Sequence, residues 1–279
     1  MEVFRIRGGA TLRGKVRASG SKNATLPIFA AALLTPEPCV IENVPDLSDV
    51  RFMADILQQI GAKVEKLESG SWKITAADVS PQAPYELVRK MRASICLLGP
   101  LVGRLRQARV SLPGGCVIGQ RPIDLHLKAL SSLGCEVEVE RGDIVVDAKG
   151  LRGTSIFLGG RHGSTVTGTA NALMAAVLAP GVTHLESAAC EPEIADLCRM
   201  LVAMGARIEN IGGHRLKVEG VESLKGCRHK IISDRIEVGT YCIASAMTGG
   251  QISVVDADVS HLGGFLDKME NAGLLFDQQ

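Results

Sequence analysis

Apolar and polar positions recur along this 279-residue chain in one fixed order, four times over. An alanine-rich apolar helix comes first, over Leu26–Leu34, Ala93–Val102, Ala170–Leu178 and Ile243–Met247. A turn containing Gly or Pro follows, then a β-type run: Val40–Val44, Arg109–Leu112, Thr183–Ser187 and Gln251–Val255. A second, amphipathic helix then ends in a glycine that opens onto another β run, as in Leu57–Glu65, Leu130–Glu138 and Leu201–Glu209. Lys268–Phe276 is a weaker fourth copy. The marker glycines are Gly61, Gly134, Gly205 and Gly273, a period of about 70 residues. A glycine there predicts a helix C-cap in the left-handed region before the chain enters a strand. The first three copies add one more strand each, at Trp72–Thr75, Ile144–Asp147 and Arg215–Glu219. Each copy is therefore predicted to be a βαβαββ unit, an α/β (α+β) pattern in which strands and helices bury one another. The fourth has no room for its last strand before Gln279, which would leave a sheet edge unpaired, so the repeat count predicts a truncated chain. Ahead of the first copy, Met1–Arg7 reads as a strand.

Composition narrows the class. Apolar content of 46% supports one large core or two ordinary ones, and 22% charged residues predict an ordinary soluble surface. A net charge of +1 and only 3% aromatics point away from nucleic-acid and membrane partners. No secretory signal is legible and the apolar runs are too short to span a bilayer, so a cytoplasmic protein is expected. The eight cysteines, at positions 39, 96, 116, 135, 190, 198, 227 and 242, include no C-x-x-C pair. Most are expected to be small core residues, with no metal site and no cofactor.

One stretch is dense in reactive types. Leu112–His126 carries Cys116 beside the pair Gly114–Gly115, then Arg121, Asp124 and His126. Glycines let a substrate approach the backbone closely. A guanidinium near a thiol favours its thiolate or positions an anion. The alternative for Cys116 is an inert buried thiol in a glycine-rich surface turn.

Six motifs, in order along nearly the whole chain, carry a family resemblance: Gly20-Ser-Lys-Asn-Ala24, Met91-Arg-Ala-Ser94, the Leu112–His126 loop, Thr165-Val-Thr-Gly-Thr169, Ala188-Ala-Cys-Glu-Pro-Glu193 and Asp234–Thr240. With these the chain resembles the UDP-N-acetylglucosamine 1-carboxyvinyltransferase family of enolpyruvyl transferases. The sister enzymes of aromatic amino-acid synthesis share its six-unit fold, but the Cys116 loop and the Arg121–Asp124 run look like the UDP-sugar family. The resemblance implies an inside-out α/β barrel-like fold of two domains, each of three βαβαββ units. Here the first domain would be residues 22–230, and a partial second would be 1–21 plus 231–279. It further implies transfer of the enolpyruvyl group of phosphoenolpyruvate to the 3′-hydroxyl of UDP-N-acetylglucosamine, the opening step of bacterial peptidoglycan synthesis. In the family the general base for the sugar hydroxyl and further phosphoenolpyruvate-binding arginines lie beyond the part matched here. The 279-residue chain alone is therefore expected to be inactive. The alternative is a UDP-sugar-binding module without turnover.

Residue by residue, the resemblance makes Cys116 the loop thiol that donates a proton to phosphoenolpyruvate, can form an adduct with it, and is alkylated by the epoxide fosfomycin. Lys22 and Asn23 would contact phosphoenolpyruvate; out of that context they read as a helix N-terminal turn with a solvated lysine. Arg92 and Arg121 would offer forks to phosphate or carboxylate oxygens. Arg121, Pro122, Ile123, Asp124 and Leu125 would bind the uridine end, with a helix start, Pro122 in its first turn, as the simpler reading. Gly163, Ser164, Thr165 and Val166 would lie near the diphosphate, Gly163 standing where some members have lysine. Glu191 and Glu193 match acidic cleft residues or equally first-turn carboxylates of the helix 194–204. Asp234, Arg235 and Glu237 match a domain-junction motif, with a structural ion network as the alternative. His126 reads as structural.

Overall fold

The computed structural model describes residues 3–5, 7–83, 85–88, 91–112, 122–161 and 163–277. They form two compact units: residues 22–231, and residues 1–21 with 232–279. In chain order the elements open with β1 (Arg13–Arg17), α1 (Lys22–Ala31), β2 (Cys39–Glu42), α2 (Ser48–Gln59), β3 (Lys63–Lys66), β4 (Trp72–Thr75) and the short α3 (Tyr85–Val88). The next copy holds α4 (Leu98–Leu105), β5 (Gln107–Ser111), α5 (Asp124–Ser132), β6 (Glu136–Glu140) and β7 (Asp143–Asp147). The third holds β8 (Ser155–Phe157), β9 (Gly159–Gly160), β10 (Gly163–Ser164), α6 (Val166–Ala176), β11 (Val182–Glu186), α7 (Pro192–Ala203), β12 (Arg207–Glu209) and β13 (Arg215–Glu219). β14 (Arg228–Lys230), α8 (Arg235–Met247), β15 (Gln251–Val255) and α9 (Gly263–Asn271) follow. Short 3₁₀ turns extend α1 over Ala32–Leu34 and lead into α4 over Arg92–Leu97.

The larger unit is organised around its apolar helices. α1, α4 and α6 are apolar on all sides and almost wholly buried, as helices without a polar face must be. They run in the same direction. Gly99 and Gly103 of α4 press against Asn171 and Met174–Ala175 of α6, so equal steps along one match equal steps along the other. At the far ends, Arg104 donates to the carbonyls of Leu33 and Thr35, and Arg106 to that of Leu178. Guanidinium groups there complete the orphan carbonyls and suit the negative helix ends. The first turns of all three helices therefore lie together at the other end.

Short sheets cover these helices with alternating burial along their strands, one face inward. β5, β7 and β6 pair antiparallel in that order, β12 and β13 join β11, and β3 and β4 join β2. Each copy's leading strand pairs parallel to the run after its apolar helix. β8 lies beside β11 with Ile156 opposite Leu185. In the second copy the same pairing shrinks to one bridge, Gln82 to Arg109. The first copy takes its leading strand from the other end of the unit: β14 lies beside β2, with His229 opposite Ile41. The architecture is α+β, and among the described residues no sheet closes into a barrel.

The smaller unit repeats the pairing, β1 lying parallel to β15 with Val16 opposite Val254. Its core is Ala18, Val238 and Leu262, with Cys242, Val254, Phe265 and Leu266 packed on it. All four marker glycines hold the left-handed backbone, with φ of +108°, +88°, +106° and +94°. The N-terminal reading fails. Val3–Arg5 and Arg7 form no strand, Phe4 is fully exposed, and the first strand starts only at Arg13. An alternating pattern makes a strand only where a neighbour offers hydrogen bonds and an apolar face to cover.

Candidate active site

The gathered helix starts in the larger unit bring most of the singled-out residues to one end. Lys22 and Asn23 open α1, and Lys22 Nζ lies 3.1 Å from Asp49 Oδ2 in the first turn of α2. That lysine is a charge held at a helix start. Arg92 opens the 3₁₀ turn that feeds α4.

Asp124 is the first residue of α5, with Ile123 as its N-cap, so Pro122 precedes the helix instead of sitting in its first turn. Leu125 packs on Gly160 of the β9–β10 hairpin, where Gly163 has φ +90° and Ser164 pairs with Gly159. Thr165 caps α6: its Oγ1 accepts from Gly168 N at 3.2 Å. Val166 follows as the first helical residue, partly exposed. The start of α5 and the hairpin that opens α6 are thus neighbours, although about 40 residues separate them in sequence. Backbone N–H groups of several helix starts, with Lys22 and Arg92, offer anion-binding groups at this end, beside the carboxylates of Asp49 and Asp124.

Beneath it lies a buried polar node that the sequence reading missed. Asn171, in the middle of apolar α6, is 0% exposed. Its Nδ2 donates to Ile95 O at 2.8 Å and meets His126 Nδ1 at 2.8 Å, while its Oδ1 accepts from Gly99 N at 2.8 Å. His126 Nε2 meets Thr167 Oγ1 at 3.1 Å. One amide therefore ties α6 to both the Arg92–Leu97 turn and the start of α5. Burial pushes the His126 imidazole down to about 4, with the Arg92 charge adding to the shift and Asp124 opposing it. The ring is neutral near pH 7, so Nδ1 accepts from Asn171 and Nε2–H donates to Thr167. The available signal was an asparagine inside an otherwise apolar helical run, since a buried amide must find partners. Thr169 makes a similar tie: its Oγ1 donates to Thr165 O at 2.7 Å and accepts from Ala189 N at 3.1 Å, anchoring the loop 188–193.

Other residues take structural places. Glu191 is the N-cap residue of α7 and Glu193 is buried in its first turn. Asp196 on the same helix meets His229 Nε2 at 3.0 Å. In the smaller unit Asp234 caps α8, accepting from Ile236 N and Glu237 N, and Glu237 accepts from Ser19 N at 2.7 Å and from Tyr241 Oη. Cys96 and Cys198 are buried and pushed up to about 12 by desolvation, and buried Cys135 to about 11, so these thiols are inert. Cys116 and Arg121 lie outside the described residues. Among the described residues no group of three or more His, Cys, Asp or Glu could hold a metal ion, and no helix is long and apolar enough to cross a membrane.

Comparison with known proteins agrees with the motif reading. The chain is 55% identical over 273 residues to a UDP-N-acetylglucosamine 1-carboxyvinyltransferase of Methylacidiphilum infernorum, covering 98% of this chain and 65% of that one. It is 50% identical over 274 residues to the protein of the same name in Akkermansia muciniphila, covering 98% and 64%. It thus spans a little under two thirds of the length of these relatives. The crystal structure of the enolpyruvyl transferase NikO from Streptomyces tendae superposes with a TM-score of 0.87 at 25% identity, over 98% of this chain and 65% of that one. The profile of the EPSP synthase (3-phosphoshikimate 1-carboxyvinyltransferase) family matches residues 6–279, and this chain belongs to that family.

Proposed function

We propose that the protein transfers the enolpyruvyl group of phosphoenolpyruvate to the 3′-hydroxyl of UDP-N-acetylglucosamine, releasing phosphate, in the cytoplasm and as an early step of cell-wall synthesis. The observation that carries this reading is the convergence of Lys22–Asn23, Arg92, Asp124–Leu125 and Gly163–Val166 around neighbouring helix starts. Two polyanions need such a surface. The uridine end of the sugar nucleotide would lie along Pro122–Leu125, its diphosphate against Gly163–Val166. Phosphoenolpyruvate would lie against Lys22, Asn23 and Arg92, with Arg121 adding a further fork.

The chemistry sets the roles. The methylene carbon of phosphoenolpyruvate takes a proton, leaving an oxocarbenium-like carbon that the sugar oxygen attacks as its own proton leaves. The product is again an enol ether, so a proton must depart from the former methylene as the phosphate leaves. Cys116 is proposed as the donor, because a thiol near an arginine is poised to exchange a proton close to neutrality. Lys22 and Arg92 would hold the phosphate and carboxylate oxygens as charge shifts onto the leaving group.

Phosphate release by the protein at its full encoded length, from phosphoenolpyruvate and UDP-N-acetylglucosamine, tests the proposal. No release, or equal release with 3-phosphoshikimate as the acceptor, would sink it. A second reading, a UDP-sugar-binding module without turnover, is favoured by the location of every described candidate contact in residues 22–231. Tight UDP-N-acetylglucosamine binding with no phosphate release would select it.

A further inference from the structure

The parallel register of β14 on β2 places two cysteines opposite one another. Arg228 pairs with Val40, His229 with Ile41 and Lys230 with Glu42. Val40 N donates to Cys227 O at 2.8 Å, which extends the ladder by one residue and sets Cys227 against Cys39. In-register neighbours on parallel strands point to the same face. Cys39 and Ile41 are wholly buried there, with Cys227 and His229 beside them and partly exposed. Strand neighbours lie about 4.7–4.9 Å apart, inside the roughly 4.4–6.8 Å window that a disulfide requires between Cα atoms.

Two further contacts press the segments together. Gly226 N donates to Glu37 Oε2 at 2.9 Å. Gly226 also lies so close to the Pro38 carbonyl that a Cβ would not fit. The two thiols also shift one another. Cys227 donates a hydrogen bond to Cys39, which favours the Cys39 thiolate and pushes the Cys227 thiol up.

We propose that Cys39 and Cys227 form an oxidisable thiol pair, whose disulfide, made by exchange with a low-molecular-weight disulfide, staples β14 to β2. One thiol of the pair attacks one sulfur of oxidised glutathione as its thiolate, and one glutathione thiolate leaves. The second thiol then attacks the protein sulfur of that mixed disulfide and expels the second glutathione thiolate. The protein loses two electrons and two protons, and one glutathione disulfide becomes two thiols. The link would tie the strand that completes the first repeat to that repeat, closing a loop of nearly the whole larger unit. This inference stands independently of the proposed reaction.

The test is peptide mapping of the native protein after treatment with oxidised glutathione, blocking of free thiols and digestion without reductant. The expected result is one cross-linked species containing Cys39 and Cys227, released by dithiothreitol. Melting temperature should rise on oxidation by on the order of 5–10 °C, since long loops give disulfides their largest effect. Cys227→Ser should abolish both the cross-link and the shift. A native digest in which Cys39 stays a free thiol, with Cys227 free or carrying only glutathione, would overturn the proposal. The wild-type map decides this whether or not substitutions at buried Cys39 fold.

Discussion

The side-chain amide of Asn171 meets the Nδ1 of His126 at 2.8 Å, joining the middle of α6 to the first turn of α5. The same amide reaches Ile95 O and Gly99 N, so a single buried residue fixes three of the segments that carry the candidate site.

Replacing it should be costly. Asn171→Ala leaves a buried N–H, a carbonyl and a ring nitrogen without partners, a loss of about 3 kcal/mol. Chemical denaturation measures it. A loss below about 1 kcal/mol would mean that the node is not a structural tie.

The imidazole in that node gives a pH signature. The folded value of His126 is about 4 against its ordinary 6.5, so the unfolded chain binds the proton first as pH falls. The stability is fully present above pH 6.5 and is lost progressively as pH falls towards 4, by about 3 kcal/mol in total. Denaturant titrations between these values should show the slope. His126→Gln should flatten it, and an unchanged slope in that variant would assign the proton uptake elsewhere.

The close approach of α4 to α6 makes Gly99 sensitive. A Cβ there would fall 2.5 Å from Asn171 O and 2.9 Å from Asn171 Cα, both backbone atoms that cannot swing aside. Gly99→Ala should destabilise by about 2–3 kcal/mol, read from the melting temperature. A neutral result would mean that the two helices separate freely.

Lys22 separates structural from chemical roles. Its ion pair with Asp49 is partly exposed on both sides, so Lys22→Met should change stability by only about 1 kcal/mol. Phosphate release from phosphoenolpyruvate should nonetheless fall roughly 100-fold or more. A variant that keeps its activity would return Lys22 to a plain helix-start residue.

Cys116 should be the thiol that opens the epoxide of fosfomycin. Sulfur attacks a ring carbon, the C–O bond breaks and the oxygen takes a proton, leaving a thioether. Mass spectrometry of the treated protein should place the adduct on Cys116, and Cys116→Ala should remove it. An adduct on another cysteine would undo the assignment.

Much of this protein follows from its sequence alone. A period of about 70 residues, helices apolar all round and a glycine at each second-helix end set the repeat count and the type and order of the main helices and strands in each repeat. Those signals are local, because burial on every side demands an apolar helix and a left-handed cap favours glycine. The six motifs carried the family. Tertiary structure decided what depends on distant partners. Only pairing shows that β14 completes the first repeat, because β2 meets it after nearly the whole unit has intervened. Only packing placed Asn171 beside His126 and the start of α6 beside the start of α5. The same dependence explains the false strand at the N-terminus: its alternation is real, but no neighbouring strand pairs with Val3–Arg5 or Arg7. Periodicity specifies what a segment can become, and the partner that satisfies its hydrogen bonds and covers its apolar face decides what it is.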